Sequence, residues 1–212
     1  MAIEPTLDNL YQQLSVLSPC DLADALPFEQ FVDPAIAGLW AKMPRIVGRA
    51  FTVECFDNDH LMFHAAVYRA HAGDIIVAKG GASAMAGGNV CAIAQRRGVT
   101  GFIIDGSIRD LAEIRTMAFP VFARNVMPKP GVKKQLGTLG ETIECGGVAI
   151  HRGDFIVADE EGIAVIPAAD VANAIKIASA RALKDASLSL DDWQAQHEAT
   201  VSKALRSLGF TE

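Results

Sequence analysis

The sequence has no run of lysine and arginine, and its formal net charge is -6 with a pI near 5.4. An acidic surface repels a phosphate backbone, so nucleic acid is not an expected partner. No apolar stretch reaches the roughly 18 residues of a membrane-spanning helix, and no membrane partner is expected. Cysteine is scarce: Cys20, Cys55, Cys91 and Cys145 lie far apart and form no CxxC pair. That spacing excludes a zinc ribbon or a disulfide framework and predicts reduced, mostly buried thiols in a cytoplasmic protein. Met1 to Pro5 lacks the basic and apolar regions of a signal peptide. There is no Gly-Lys-Ser/Thr, no GxGxxG and no glycine-rich S-adenosylmethionine loop, so nucleotide binding and methyl transfer are not expected.

What is present is a chain of 212 residues, half of them hydrophobic, enough for one good core with terminal additions. Leu7, Leu10, Leu14 and Leu17 recur at helical spacing, and Ser18-Pro19 opens a second helix as cap and first-turn proline, with Asp21 at its third position. The pattern then alternates. Strands are predicted over 46–55, 75–78, 102–104 and 121–123, and helices over 59–70, 89–97 and 111–117. Gly98 is placed to end one helix in the left-handed conformation. Residues 142–167 change character: short strands punctuated by Cys145-Gly146-Gly147, Arg152-Gly153-Asp154 and Asp159-Glu160-Glu161-Gly162 read as a β-meander. From Ala168 the chain is helical, and a last amphipathic helix carries Trp193, Val201, Leu205 and Leu208. The expectation is one α/β domain over 1–170. A C-terminal helical extension over 171–212 would pack on it or on a neighbouring subunit.

Two loops carry the chemistry. Gly80-Gly81 and Gly87-Gly88-Asn89 follow one apolar run and precede a helix, a setting in which bare amides face an anion. The amides of Asn89 and Val90 are therefore candidate carboxylate donors. The second run, Phe102-Ile103-Ile104, leads through Asp105-Gly106-Ser107-Ile108 to Arg109-Asp110. If the two strands are parallel neighbours, both loops share one end of the sheet, where open α/β sheets bind ligands. Arg109 could then fork onto a carboxylate, and Asp110 could hold Mg²⁺ or Mn²⁺ with waters and substrate oxygens completing the shell. A structural alternative stands beside this: Asp110 and Glu113 have the spacing of a helix cap, and Arg109 that of a surface ion-pair partner.

Other residues have two readings each. Lys79 is a Schiff-base amine or a surface cation. His60 and His64 have the spacing of a metal pair, yet without a third ligand or an HExxH glutamate they read as one helix face. Cys91 sits on the helix beside the candidate site with no histidine assigned to it.

Leu17-Ser18 with Leu22 to Leu26, Gly73-Asp74-Ile75-Ile76-Val77, Gly80-Gly81, Gly98 to Gly106, Ile108-Arg109-Asp110, Gly146-Gly147-Val148 and Ala158 to Gly162 together resemble one family. It is the RraA-like family of the regulator of ribonuclease E activity A and the 4-hydroxy-4-methyl-2-oxoglutarate aldolases. The resemblance covers most of residues 15–170 and implies a swivelling β/β/α domain in a homotrimeric ring, sometimes stacked into a homohexamer. It implies a divalent metal that binds pyruvate or its enolate between subunits. By position, the substrate arginine falls on Arg109, the metal aspartate on Asp110, and the carboxylate-holding amides on Asn89 and Val90 of the Gly87-Gly88 loop. A carboxylate lent to the neighbouring site would be Asp185 or Glu198. One departure follows: aldolase members carry an acid 21 positions before the arginine, where this chain has Gly88. Retro-aldol cleavage needs a base for the 4-hydroxyl, whereas oxaloacetate decarboxylation does not, so losing the acid harms the aldol branch more. The expected function is a lyase releasing pyruvate from a small 2-oxo acid, by aldol cleavage or oxaloacetate decarboxylation. The alternatives are a regulator docking on a ribonuclease or helicase, and a member using a different 2-oxo acid.

Overall fold

A computed structural model describes residues 6–210; Met1 to Pro5, on which the absence of a signal peptide rests, and the last two residues of the expected extension lie outside it. The helices are α1 (Leu7–Ser15), α2 (Pro19–Leu22), α3 (Leu61–Val67), α4 (Gly88–Arg96), α5 (Leu111–Thr116), α6 (Val171–Ala186) and α7 (Leu190–Ser207). The strands are β1 (Ala37–Gly38), β2 (Ile46–Glu54), β3 (Asp74–Ala86), β4 (Gly101–Ile108), β5 (Val121–Val126), β6 (Thr138–Leu139), β7 (Ile143–Cys145), β8 (Val148–Ile150), β9 (Phe155–Asp159) and β10 (Gly162–Ile166).

The main sheet runs β1-β5-β4-β3-β2-β9-β10, with β6 also pairing β2. Its centre, β2 to β5, is parallel, and Ala78 pairs with Ile104, so the two apolar runs are parallel neighbours as their pattern required. Alternation along these strands divides the core. Ile76, Ala78, Phe102 and Ile104 face Phe63 of α3, Cys91 and Ala94 of α4 and Ile114 of α5. Ile75, Val77 and Ile103 face the opposite way, against Ile143, Cys145, Val148 and Ile150 of the small β7–β8 sheet. Successive side chains of a strand point to opposite faces, and here both faces are buried, giving hairpin, sheet and helices as three layers. This is the expected β/β/α arrangement.

The meander differs from expectation in one respect: β7 and β8 form their own sheet, while β9 and β10 join the main one through β2. Phe155, Val157, Ala164 and Ile166 on the outer side of β9–β10 pack with α1, α2 and Val171, Ala174, Ile175 and Ala178 of α6. A capping box between Ser18 and Asp21 starts α2, as predicted, but that helix lasts one turn. α7 buries none of its side chains; Trp193, Val201, Leu205 and Leu208 all remain exposed. Among the described residues no helix is long and apolar enough to cross a membrane.

The largest departure concerns the two chemistry-bearing loops. The strand that the pattern placed over 75–78 continues to Ala86, through Gly80-Gly81, as a strand of 13 residues. A bulge between Lys79 and Ala84 breaks its register with β4. β4 likewise runs on to Ile108 through Asp105-Gly106. A Cβ on Gly80 would run into the Met85 side chain and one on Gly81 into Asp57. These glycines thus serve close packing inside an irregular strand, not an anion loop.

Candidate active site

The sharp turn from β3 into α4 is made by Gly87 alone, whose backbone is extended. A Cβ there would run into Oδ2 of Asp110 and lie 3.0 Å from Cγ and Nε of Arg109, so a side chain at this position would displace the Asp110 carboxylate and crowd the arginine. The Arg109 amide donates to the Ala86 carbonyl at 2.9 Å, which ties the end of β4 to the end of β3. The next residue, Asp110, has φ +61° and ψ +38°, a left-handed conformation rare outside glycine, asparagine and aspartate. That kink turns its carboxylate away from its own helix. Oδ2 accepts the Gly88 amide at 3.1 Å and lies 3.4 Å from Nε of Arg109. The capping alternative is therefore corrected: Asp110 makes no side-chain cap on α5 and instead caps α4 across the gap.

With the Gly88 amide taken, the amides of Asn89 and Val90 have no acceptor among the described residues. The terminal guanidinium nitrogens of Arg109 have none either, and its side chain is 42% exposed. These groups meet at a cavity of about 260 Å³ lined by His60, His64, Asn89, Arg109, Asp110 and Lys133, with Gly87 and Val90 beside them. Of the six residues expected at the Gly87–Val90 loop and the end of β4, only Gly88 does not line it. A larger cavity of about 730 Å³ lies elsewhere, between Phe28, Phe31, Ile36 and the 159–163 turn. Its charged lining is Glu29, Asp33, Asp159, Glu160 and Glu161, with no cation, so it is unsuited to an acid anion.

Gly88 also has an unexpected neighbour. Oε2 of Glu113, in the first turn of α5, stands where a Cβ on Gly88 would be. A carboxylate thus reaches the α4 start from another element. Gly88→Ala would by itself favour the helix by up to about 1 kcal/mol, but in the wild type it must displace Glu113. The expected outcome is that Gly88→Ala stabilises more in a Glu113→Ala background than alone, with about 0.5 kcal/mol or more of coupling in a denaturant double-mutant cycle.

His60 and His64 are the residues whose place the local pattern did not show. They stack with ring centroids 4.3 Å apart and planes 12° from parallel. Nδ1 of His60 meets the Ala84 carbonyl at 3.3 Å, and Nε2 of His64 meets the Met85 carbonyl at 3.2 Å. The backbone acceptors come from the part of β3 that the sequence pattern placed in a loop. No group of three or more metal-ligating side chains occurs among the described residues, so the histidines have no third ligand. Lys133 arrives on the 129–135 segment, held on one side by Ala84 and on the other by Asp59. Asp59 accepts the amides of Leu61, Lys134 and Gln135 at 2.8, 2.6 and 3.0 Å.

Burial depresses the His64 pKa to about 4, with the His60 and Lys133 charges adding to it. An unfolded histidine takes its proton near 6.5, so between about pH 6.5 and 4 the unfolded chain binds more protons than the folded one. Stability therefore falls as pH is lowered through that window, and His60, whose pKa is also lowered by burial, adds in the same direction. His64→Gln should flatten the slope of urea midpoint against pH between pH 7 and pH 5.

The remaining candidates resolve simply. Lys79 pairs with Glu54 at 3.2 Å and does not line the cavity, which fits the surface-cation reading. Cys91 is fully buried, and burial with the Asp110 charge pushes its thiol up to about 12, so it is no nucleophile at neutral pH. Cys55 and Cys145 are buried as well, and Cys20 is exposed. Asp185 is on α6, 3.0 Å from Arg181, and Glu198 is on the exposed face of α7.

Residues 19–165 match the RraA-like family described as Aldolase/RraA. A Halalkalibacterium halodurans protein provisionally named 4-hydroxy-4-methyl-2-oxoglutarate aldolase is 38% identical over 66% of this chain and 69% of its own length. A Thermus thermophilus protein named 4-hydroxy-4-methyl-2-oxoglutarate aldolase is 28% identical over 69% of this chain and 90% of its own. Among solved structures, one titled as the RNA-processing inhibitor RraA from Thermus thermophilus has a TM-score of 0.64 at 26% identity, covering 70% of this chain and 91% of that one. An uncharacterized Pseudomonas syringae pv. tomato protein has a TM-score of 0.77 at 20% identity over 92% of this chain and 99% of its own. It shares the fold over that span. With more than half its length inside the family match and the β/β/α layers in place, the chain belongs to the RraA-like aldolase family.

Proposed function

We propose that this protein is a divalent-metal-dependent lyase that breaks a C–C bond of a small 2-oxo acid to release pyruvate. The observation that carries this reading is the convergence of Arg109, Asp110 and the two open α4 amides on one small cavity. A volume near 260 Å³ suits a short dicarboxylic acid and excludes a dinucleotide. The substrate carboxylate lies against the Asn89 and Val90 amides, where the positive end of α4 favours it, and Arg109 forks onto the same end.

Asp110 is a hard oxygen donor whose Oδ1 is not taken by any of its described partners, which fits Mg²⁺ or Mn²⁺ completed by water and substrate oxygens. Such an ion, when bound, supplies Lewis-acid polarisation of the 2-oxo group. Arg109 and Lys133 set a positive field in which the negative charge of a departing enolate is stabilised. In this reading the protein is cytoplasmic and works as a homotrimer or homohexamer, with Asp185 or Glu198 as a carboxylate lent across a subunit boundary.

The test is pyruvate release from 4-hydroxy-4-methyl-2-oxoglutarate and from oxaloacetate, with Mg²⁺ or Mn²⁺ and then with EDTA. Spontaneous oxaloacetate breakdown is subtracted. Metal-dependent release from at least one substrate is the expected result. No release from either would overturn the reading and turn attention to the alternative of a regulator docking on a ribonuclease or helicase; the Thermus relative is described as an RNA-processing inhibitor.

A further inference from the structure

We infer that His60 is the general base that takes the C4 hydroxyl proton of a 4-hydroxy-2-oxo acid in this cavity, an inference that rests on the lyase reading above. Gly88 offers no side chain, and the Glu113 carboxylate beside it does not line the cavity. Lys133 and Arg109 are cations, and Asp110 meets the Gly88 amide and Arg109 through Oδ2 while the lyase reading gives its Oδ1 to the metal. His60 lines the cavity and is 7% exposed.

Its ring is fixed in two ways, by the contact of Nδ1 with the Ala84 carbonyl and by the stack on His64. A carbonyl only accepts, so Nδ1 carries the hydrogen and Nε2 keeps its lone pair. Nε2 has no partner among the described residues. The other ring of the stack, His64, presents its Nε2 to the Met85 carbonyl. The charges around it are mixed: Lys133 and Arg109 oppose its protonation, while Asp59 and the Ala84 carbonyl favour it. Burial is the largest influence and keeps the ring neutral at pH 7, the state a base requires.

The step balances as follows. Nε2 takes the hydroxyl proton, the C4–O bond becomes a carbonyl, and the C3–C4 bond breaks with its electron pair moving into the C2–C3 enolate. The imidazolium then returns its proton to C3, giving pyruvate and a free base. Decarboxylation of oxaloacetate draws its enolate electrons from the C–CO₂ bond, so no hydroxyl proton is removed and the enolate takes its C3 proton from water; the two substrates thus separate base catalysis from general damage.

The experiment compares kcat for both substrates in wild type, His60→Gln and His60→Ala with Mg²⁺ present. Glutamine keeps an N–H for the Ala84 carbonyl and guards against misfolding. The aldol-to-decarboxylation ratio should fall by about 10²-fold or more in both variants, and added imidazole should restore part of it in His60→Ala. In metal-free wild type, ¹⁵N NMR should show the Nδ1–H tautomer, with Nε2 protonating only below the usual histidine range. An unchanged ratio, an Nε2–H tautomer, or a wild type that decarboxylates but never cleaves the aldol substrate would each overturn the inference and leave the lyase reading standing. Release from neither substrate would remove both.

Discussion

Arg109→Ala is expected to lower kcat/KM for pyruvate release by about 10²–10⁴-fold while leaving the fold intact. The size follows from what the guanidinium does. It is the planar, permanently charged fork at a cavity that also holds two open backbone amides and the Lys133 ammonium, and in this reading it faces the carboxylate in the ground state and the enolate charge in the transition state. At 1.36 kcal/mol per decade this is a loss of about 2.7–5.4 kcal/mol of transition-state stabilisation. The stability cost is far smaller, because the side chain is 42% exposed and its one ion pair, to Asp110, is 3.4 Å long. A pair of that kind contributes about 0–1 kcal/mol. Arg109→Lys keeps the charge and loses the fork, so it should fall between the two. Steady-state kinetics with thermal unfolding on the same preparations checks this, and near-normal turnover in Arg109→Ala would remove Arg109 from the site.

The parts of this molecule that could be read locally are those governed by local rules. Ile75 to Ala78 and Phe102 to Ile104 announce buried parallel strands by their unbroken apolar character, and Gly98 ends α4 with φ +79° as its position demanded. The position of Arg109 and Asp110 at the end of such a strand was legible for the same reason. Asp110 was ambiguous because its spacing to Glu113 mimics a cap, and only its left-handed backbone, which turns the carboxylate to the Gly88 amide, removes the side-chain cap on α5.

What stayed hidden depends on pairings distant in sequence. Gly80 to Ala86 has the composition of a loop, yet it is drawn into the sheet by β4 and by Pro130, which bridges to Ala84. Because that stretch is strand, the Ala84 and Met85 carbonyls reach His60 and His64, and a pair that reads as a helix face becomes part of the cavity wall. Lys133 carries no local signal. It is delivered by a segment whose anchor, Asp59, lies more than 70 residues earlier in the chain.

Asp110→Asn separates charge from shape at the same site. Asparagine tolerates the left-handed backbone, and its side-chain oxygen can still accept the Gly88 amide, so the α4 start remains capped. The carboxylate charge is lost. With it goes the hard anionic donor for Mg²⁺ or Mn²⁺ and the counter-charge that orients Arg109. Turnover should fall by about 10²-fold or more, and Mn²⁺ binding followed by calorimetry should weaken in parallel. Asp110→Gly provides the complementary case. It relieves a left-handed conformation worth about 1–2 kcal/mol and gives up a cap worth about 1 kcal/mol, so its stability should stay near wild type while its activity is lost. A left-handed aspartate that costs stability and is indispensable for turnover would mark backbone strain held at a working site. Full metal-dependent activity in Asp110→Asn would mean that the carboxylate only caps α4 and that the metal, if used, is held elsewhere.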